Sequence, residues 1–162
     1  MDEINMAWLA GIGKLTLANT QVSFVVRMMI KTFLRLGYQE GREKTKRMAA
    51  GRLREFVVDL AAASNLPCQS RAGLDDLMAR WHTLATKRNQ LSHGLVGKEL
   101  DGDHVIADDV GRFEPMPKAG DIEDAVDRMI HLRDDLNKFH TESVRRHCDG
   151  VSSVISAMKS GE

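Results

Sequence analysis

The chain has little of several things, and each shortage excludes something. Aromatic residues make up 5% of it and there are three prolines, which suits a helical bundle better than a β-sandwich, whose strands favour aromatic and β-branched side chains. Cys68 and Cys148 are the two cysteines, too few for the disulfide framework of a small secreted domain. They read as reduced thiols of a cytosolic, cytoplasmic protein. An excess of one charge is also missing. The 23 Lys and Arg are matched by 23 Asp and Glu, so nucleic acid has to be argued from local charge rather than from net charge. No apolar run approaches the ~20 residues of a membrane span. The most apolar stretch, Val22 to Ile30, is interrupted by Arg27. The opening Met1-Asp2-Glu3 lacks the basic region of a signal peptide, and neither an internal repeat nor a low-complexity tract occurs. No membrane partner is expected.

The length of 162 residues and a hydrophobic content of 43% are enough for one globular domain, 1–162, with a real core. Four helical stretches are expected. In the first, about Glu3 to Leu36, Trp8, Leu15, Val22, Met29 and Leu36 recur every seven residues, with Ile4, Ala18, Val25 and Phe33 alongside, which makes one buried seam. Gly11 and Gly13 mark a kink or a late start, and Gly37 marks the stop. The second, Gln39 to Ser64, has Ala49, Leu53, Phe56, Leu60 and Ala63 as its stripe and ends at Asn65-Leu66-Pro67. Its first half holds the most basic region of the chain, including Arg42, Lys44, Lys46 and Arg47. That region is either a solvated helix face or a phosphate-contacting surface.

The third stretch, Leu74 to Leu91, steps by three and four through Leu74, Leu77, Trp81, Leu84, Arg88, Leu91 and Leu95. One member of this apolar line is an arginine, and a charge there costs several kcal/mol unless it is paired or wet. Breaks of this kind mark functional sites. Between Gly94 and Gly120, two extended pieces around Asp101-Gly102-Asp103 suggest a β-hairpin or an ordered loop. Asp121 is the expected cap of a last helix with the stripe Ile122, Val126, Met129, Leu132, Leu136 and Phe139, running to about Cys148 before a fraying tail. The fold class is an all-α, up-and-down bundle of about four main helices with a short irregular or hairpin insert before the last.

Several site patterns fail on inspection. Gly11-Ile12-Gly13-Lys14 lacks the first glycine of a phosphate loop, because Trp8 stands there. Asp101, Asp103, Asp108 and Asp109 resemble a calcium loop, but Arg112 occupies the position of the bidentate glutamate. His131, His140 and His147 are never three or four residues apart, so zinc is not expected and they read as surface histidines. No metal and no cofactor is expected.

The stretch after Trp81 remains. His82, Thr86, Asn89 and His93 step by four, three and four along one face. Arg88 lies away from that face, so a single straight helix does not bring Arg88 and His93 to one atom. Either the helix ends before His93, or a second copy completes the site. An Arg-x4-His spacing alone is expected roughly half a time per chain of this composition, whereas Asn directly after the Arg and Gly directly after the His make it far rarer. Arg88-Asn89-Gln90-Leu91-Ser92-His93-Gly94 resembles the Arg-Asn-x-x-x-His signature of the HEPN superfamily. The likeness of arrangement, an amphipathic helix into the motif, a variable insert and a long last helix, covers about Leu74 to Cys148.

The resemblance implies a helical, dimeric fold and metal-independent endoribonuclease activity of the kind found in toxin–antitoxin, phage-defence and RNA-processing systems. Arg88, Asn89 and His93 would be its catalytic residues, and an antitoxin or operon partner would accompany it. Some family members are non-catalytic partners, so a helical interaction or regulatory module is the alternative. The chemistry is sensible in either case. RNA carries its own nucleophile, the 2′-hydroxyl; histidine serves as base or acid near neutrality, and a guanidinium forks onto phosphate. Two His93 side chains across a twofold would take the two proton-transfer roles, with Asn89 orienting His93 or a phosphate oxygen. Lys46, Arg47, Lys87 and Ser92 are candidate RNA contacts. Without catalysis, Arg88 would be bonded to helix-end carbonyls and His93 would cap the helix. Surplus apolar length on the first helix, together with Arg88, points to a homodimer.

Overall fold

The computed structural model describes residues 6–93, 95–98, 104–107 and 112–150. It is an all-α bundle with a small sheet inserted before the last helix. Helix α1 spans Met6–Leu34, α2 Tyr38–Thr45, α3 Ala50–Ala63, α4 Cys68–His93 and α5 Ala119–Phe139, and α5 continues as a π-helical turn, His140–Arg145. Strands β1 (Leu95–Lys98), β2 (His104–Ala107) and β3 (Phe113–Pro115) form an antiparallel sheet in the order β1-β2-β3. The expected hairpin is therefore extended by a third strand, in which Phe113 pairs with Ala107 and Pro115 with Val105. Residues 101–103, 108–109, 94 and the tail after 150 lie outside the described residues, as do the acidic turn, the motif glycine and Ile4.

Helix α1 organises the core. Trp8, Leu15, Val22 and Met29 of its seven-residue seam are all buried, and Leu36 lies two residues past the helix end. The seam packs mainly on α5, which runs parallel to it. Trp8 Nε1 donates to Pro117 O at 3.2 Å near one end, Arg133 Nη1 to Gln21 Oε1 at 2.9 Å in the middle, and Thr32 Oγ1 meets His140 Nε2 at 2.8 Å near the other end. Helix α1 runs unbroken through Gly11. This glycine is buried at the crossing, where a Cβ would come within 2.8 Å of Ile122 Cγ2, so its bare Cα is what lets the two helices approach. Gly37 is not the stop. Arg35 takes the left-handed conformation (φ 53) and the Leu36 N–H bonds back to Lys31 O at 3.1 Å, a helix ending more often built on glycine. Gly37 instead precedes α2, and its N–H donates to Glu40 Oε2 at 2.9 Å.

The second expected stretch is two helices. α2 buries only Gly41 and Thr45 and has no aliphatic side chain with which to hold a longer helix against the core. Arg27 of α1 also intervenes. Its guanidinium donates to the carbonyls of Thr45 and, at 3.1 Å, Met48, taking acceptors that a continuing helix would use itself. The chain breaks at 46–49 and restarts as α3, which buries Leu53, Val57 and Ala61. Asn65 then ends α3 in the left-handed conformation (φ 55), as the Asn65-Leu66-Pro67 signal anticipates. α4 begins at Cys68, six residues before Leu74, and runs antiparallel to α1 and α5 (Arg80 pairs with Asp135 at 2.9 Å). Trp81 is wholly buried, and its Nε1 donates to Asn19 Oδ1 at 2.8 Å. At the start of α5 the cap position belongs to Lys118, not Asp121. Asp121 sits three residues in, and its Oδ2 accepts the Lys118 N–H at 2.9 Å, which is the other half of a capping-box geometry.

Candidate functional site

The motif occupies the last turn and a half of α4, where the helix meets the sheet and the first turn of α5. Two contacts hold this end in place. Gln90 Nε2 donates to Glu114 Oε2 of β3 at 2.8 Å, and Lys87 Nζ donates to the Asp121 carbonyl at 3.3 Å. Leu84, Ala85 and Leu91 are buried beneath it. Asn89, Ser92 and His93 are exposed, and Arg88 is half-buried.

Arg88 is the unusual residue. Its Nη1 donates to Asn89 Oδ1 at 2.7 Å, while its buried Nε has no hydrogen-bond partner among the described residues. The expected alternative, a guanidinium bonded to helix-end carbonyls, is not what is found. The Asn89 amide oxygen accepts from Nη1, while Nε is sequestered without a partner among the described residues. Asn89 Oδ1 is thus placed to orient Arg88.

α4 stays helical through His93. At 100° per residue, Arg88 and His93 diverge by ~140° around the axis, so one α4 does not converge them. Of the two arrangements open in the sequence, an early helix end is ruled out. Electrostatics adds a constraint. The C-terminus of a helix carries the negative end of its macrodipole, about half a charge, which is unfavourable for a phosphate, and Arg88 and Lys87 are the cations that offset it.

The chain matches no family model, no curated protein and no solved structure.

The other candidates lie elsewhere. Lys46 is exposed and paired with Glu43, and Arg47 is exposed in the break after α2. This break is held at Arg27, eight residues along α1 from the Asn19–Trp81 contact, and Arg88 is seven residues beyond Trp81 in the opposite sense. The separation along the bundle is roughly 20 Å at 1.5 Å per residue, so Lys46 and Arg47 do not join the motif.

The three histidines of the last helix are not all surface residues. His131 is exposed, but His140 is half-buried against Thr32, and His147 Nε2 lies 2.8 Å from Ser64 O. Burial, with Arg145 and Lys31 nearby, holds the His140 pKa below its ordinary value. No group of three His, Cys, Asp or Glu among the described residues is arranged to hold a metal. Sequence reasoning missed Arg27, whose only signal was its interruption of the most apolar run, and the Gln90–Glu114 tie, which had none.

Proposed function

We propose that the chain is a HEPN-type, metal-independent endoribonuclease of a toxin–antitoxin or phage-defence system, acting in the cytoplasm as a homodimer that places two copies of Arg88, Asn89 and His93 at one interface. The observation that carries the reading is Arg88: a half-buried guanidinium steadied by Asn89, with a sequestered Nε that lacks an acceptor, one turn from an exposed His93. A small movement of the side chain that uncovers Nε would let a phosphate, or a group from a second copy, supply the acceptor it lacks.

In the proposed reaction, the 2′-oxygen attacks the adjacent phosphorus as one His93 takes its proton. The P–O5′ bond breaks as the His93 of the second copy gives a proton to the leaving 5′-oxygen. The products are a 2′,3′-cyclic phosphate and a 5′-hydroxyl, and the two histidines finish with exchanged protonation states. Arg88 forks onto the non-bridging oxygens as negative charge accumulates. Lys87 and Ser92 flank the phosphate, and Lys46 and Arg47 add salt-dependent affinity away from the chemistry.

A second reading, a helical interaction or regulatory module, is favoured by the Arg88–Asn89 bond, which already occupies part of the fork, and by the balance of 23 basic and 23 acidic residues. Incubating the purified protein with mixed cellular RNA, with and without EDTA, separates the two. The enzyme reading expects cleavage that resists EDTA, leaves cyclic phosphate ends and falls about 10²-fold or more in His93→Ala. Cleavage unchanged in His93→Ala, or lost with EDTA, rejects the mechanism. A folded dimer inert toward every RNA favours the module.

A further inference from the structure

Helix α1 is apolar on two opposite faces, and only one of them is used by the core. Met6, Leu17 and Phe24 fall within ~20° of one line along the helix, opposite the Trp8–Met29 seam, and they are 76%, 62% and 51% exposed. Gly13, also exposed, lies on the same line, with open space around its Cα. The line runs into a groove of about 230 Å³ between α1 and α2, whose apolar wall is Phe24, Met28 and Tyr38. Tyr38 is itself 53% exposed. Of the large hydrophobic side chains found exposed among the described residues, only Leu9 of α1, ~60° around the helix from this line, is not on the ridge or in the groove.

The charges around the groove have one sign. Arg27, Lys31, Arg42 and Lys46 line it and no carboxylate does. The neighbouring acids of α2 are engaged elsewhere, Glu40 on the Gly37 N–H and Glu43 on Lys46. Arg27 is committed to backbone carbonyls, which leaves Lys31 and Arg42 to face an incoming group. α1 itself, Met6–Leu34, contains Lys14, Arg27 and Lys31 and no Asp or Glu. A second copy packed α1 against α1 would oppose like charges, which disfavours pairing. A small molecule would fill the groove but leave Leu17 and Met6 uncovered.

We infer that the Met6–Leu17–Phe24 face and the groove at its end form a docking site for an amphipathic, acidic α-helix of a different protein. Its apolar side chains would lie along the ridge, with one anchor in the groove, and its carboxylates would meet Lys31 and Arg42. A helix in a groove with anchors at i, i+3, i+4 and i+7 is an established recognition mode, and a bulky anchor in a small pocket is where such interfaces concentrate their affinity. This surface is separate from the Arg88 motif and does not depend on its being catalytic.

The probe is a labelled synthetic helix of about 18 residues, long enough to span roughly 27 Å, with leucines at i, i+3, i+4 and i+7 and glutamates outside. A matched helix carries lysines in place of the glutamates. Anisotropy titration of the full chain is expected to show the acidic helix binding at least tenfold tighter. Phe24→Ser is expected to weaken it at least tenfold with an unchanged thermal melt, since the side chain is exposed, and Lys31→Glu with Arg42→Glu is expected to reverse the preference. Equal affinity for the two helices, no binding of the acidic one below 1 mM, or indifference to Phe24→Ser overturns the proposal. So does a dimer that Phe24→Ser converts to monomer, which would assign the face to a second copy.

Discussion

The joint between α1 and α4 is where a single atom change should be felt at the motif. Trp81 is fully buried and its indole N–H has Asn19 Oδ1 as its acceptor at 2.8 Å, with Asn19 itself only 8% exposed. Asn19→Leu keeps the side-chain branching, with some added bulk, but removes the acceptor and strands the donor. An unmade hydrogen bond at a buried group costs about 1–3 kcal/mol, so a loss of about 2 kcal/mol is expected, or a Tm fall of about 4–8 °C for a chain of this size. Trp81→Phe removes the donor instead. The two changes share one bond, so their combination should cost less than their sum by about 1 kcal/mol. Urea unfolding of the four proteins measures the cycle. Additivity within about 0.5 kcal/mol, or an Asn19→Leu cost below that figure, would refute the assignment of this bond as the joint. Arg88 lies two turns beyond Trp81, so the same variant is expected to lower any activity of the motif without touching it.

Two glycines on one helix should respond with opposite signs. Gly11→Ala puts a Cβ 2.8 Å from Ile122 Cγ2 in the packed crossing, an overpacking cost of about 1–3 kcal/mol that exceeds the helix-propensity gain of about 1 kcal/mol, whereas Gly13→Ala meets nothing within 4 Å and should stabilise by about 0.5–1 kcal/mol. Urea midpoints that move the same way for both would contradict the packing. The His140 pKa is lowered in the fold by burial, then by Arg145 and Lys31, so the unfolded chain binds its proton more readily. The stability from neutral His140 is full above the unfolded value near 6.5 and drains as pH falls through the lower folded value. Melts between pH 5 and 8 should show this, and His140→Gln should flatten it. Arg88→Met removes a half-buried cation whose Nε is unsatisfied, so it should leave stability unchanged or raised while abolishing the proposed cleavage. A loss above about 2 kcal/mol in denaturant unfolding would make Arg88 structural.

The fold was legible where periodicity is strong. The seams of α1 and α5 and the Asn65-Leu66-Pro67 stop correspond directly to buried residues and a helix end. It was illegible where tertiary contacts override local signals. Gly11 reads as a helix weakener in any single-chain view, and only Ile122, 111 residues away, turns it into a packing requirement. Arg35 adopts a conformation that sequence reasoning reserves for Gly37, because Leu36 must bond back to Lys31 there. The break between α2 and α3 depends on Arg27 reaching across from α1. No window of sequence around 46–49 contains that arginine.

The motif shows the same division. Residue identity and spacing located Arg88, Asn89 and His93, and the three-four rhythm through Trp81 and Leu84 already put Arg88 on the apolar line. The degree of burial was not available from that rhythm, because it depends on which side chains close over the guanidinium. Nor was the role of Asn89, since an (i, i+1) pair on a helix does not ordinarily meet. Arg88 and Asn89 meet here because the long arginine side chain lets Nη1 reach the neighbouring amide. The consequence is directional. Asn89 Oδ1 is engaged by Arg88, which leaves its Nδ2 donors as the part of the amide able to turn toward His93, four residues on along the same helix face. The proposal of a second copy therefore rests on one geometric point, the angular divergence of Arg88 from His93 along a helix that persists through His93.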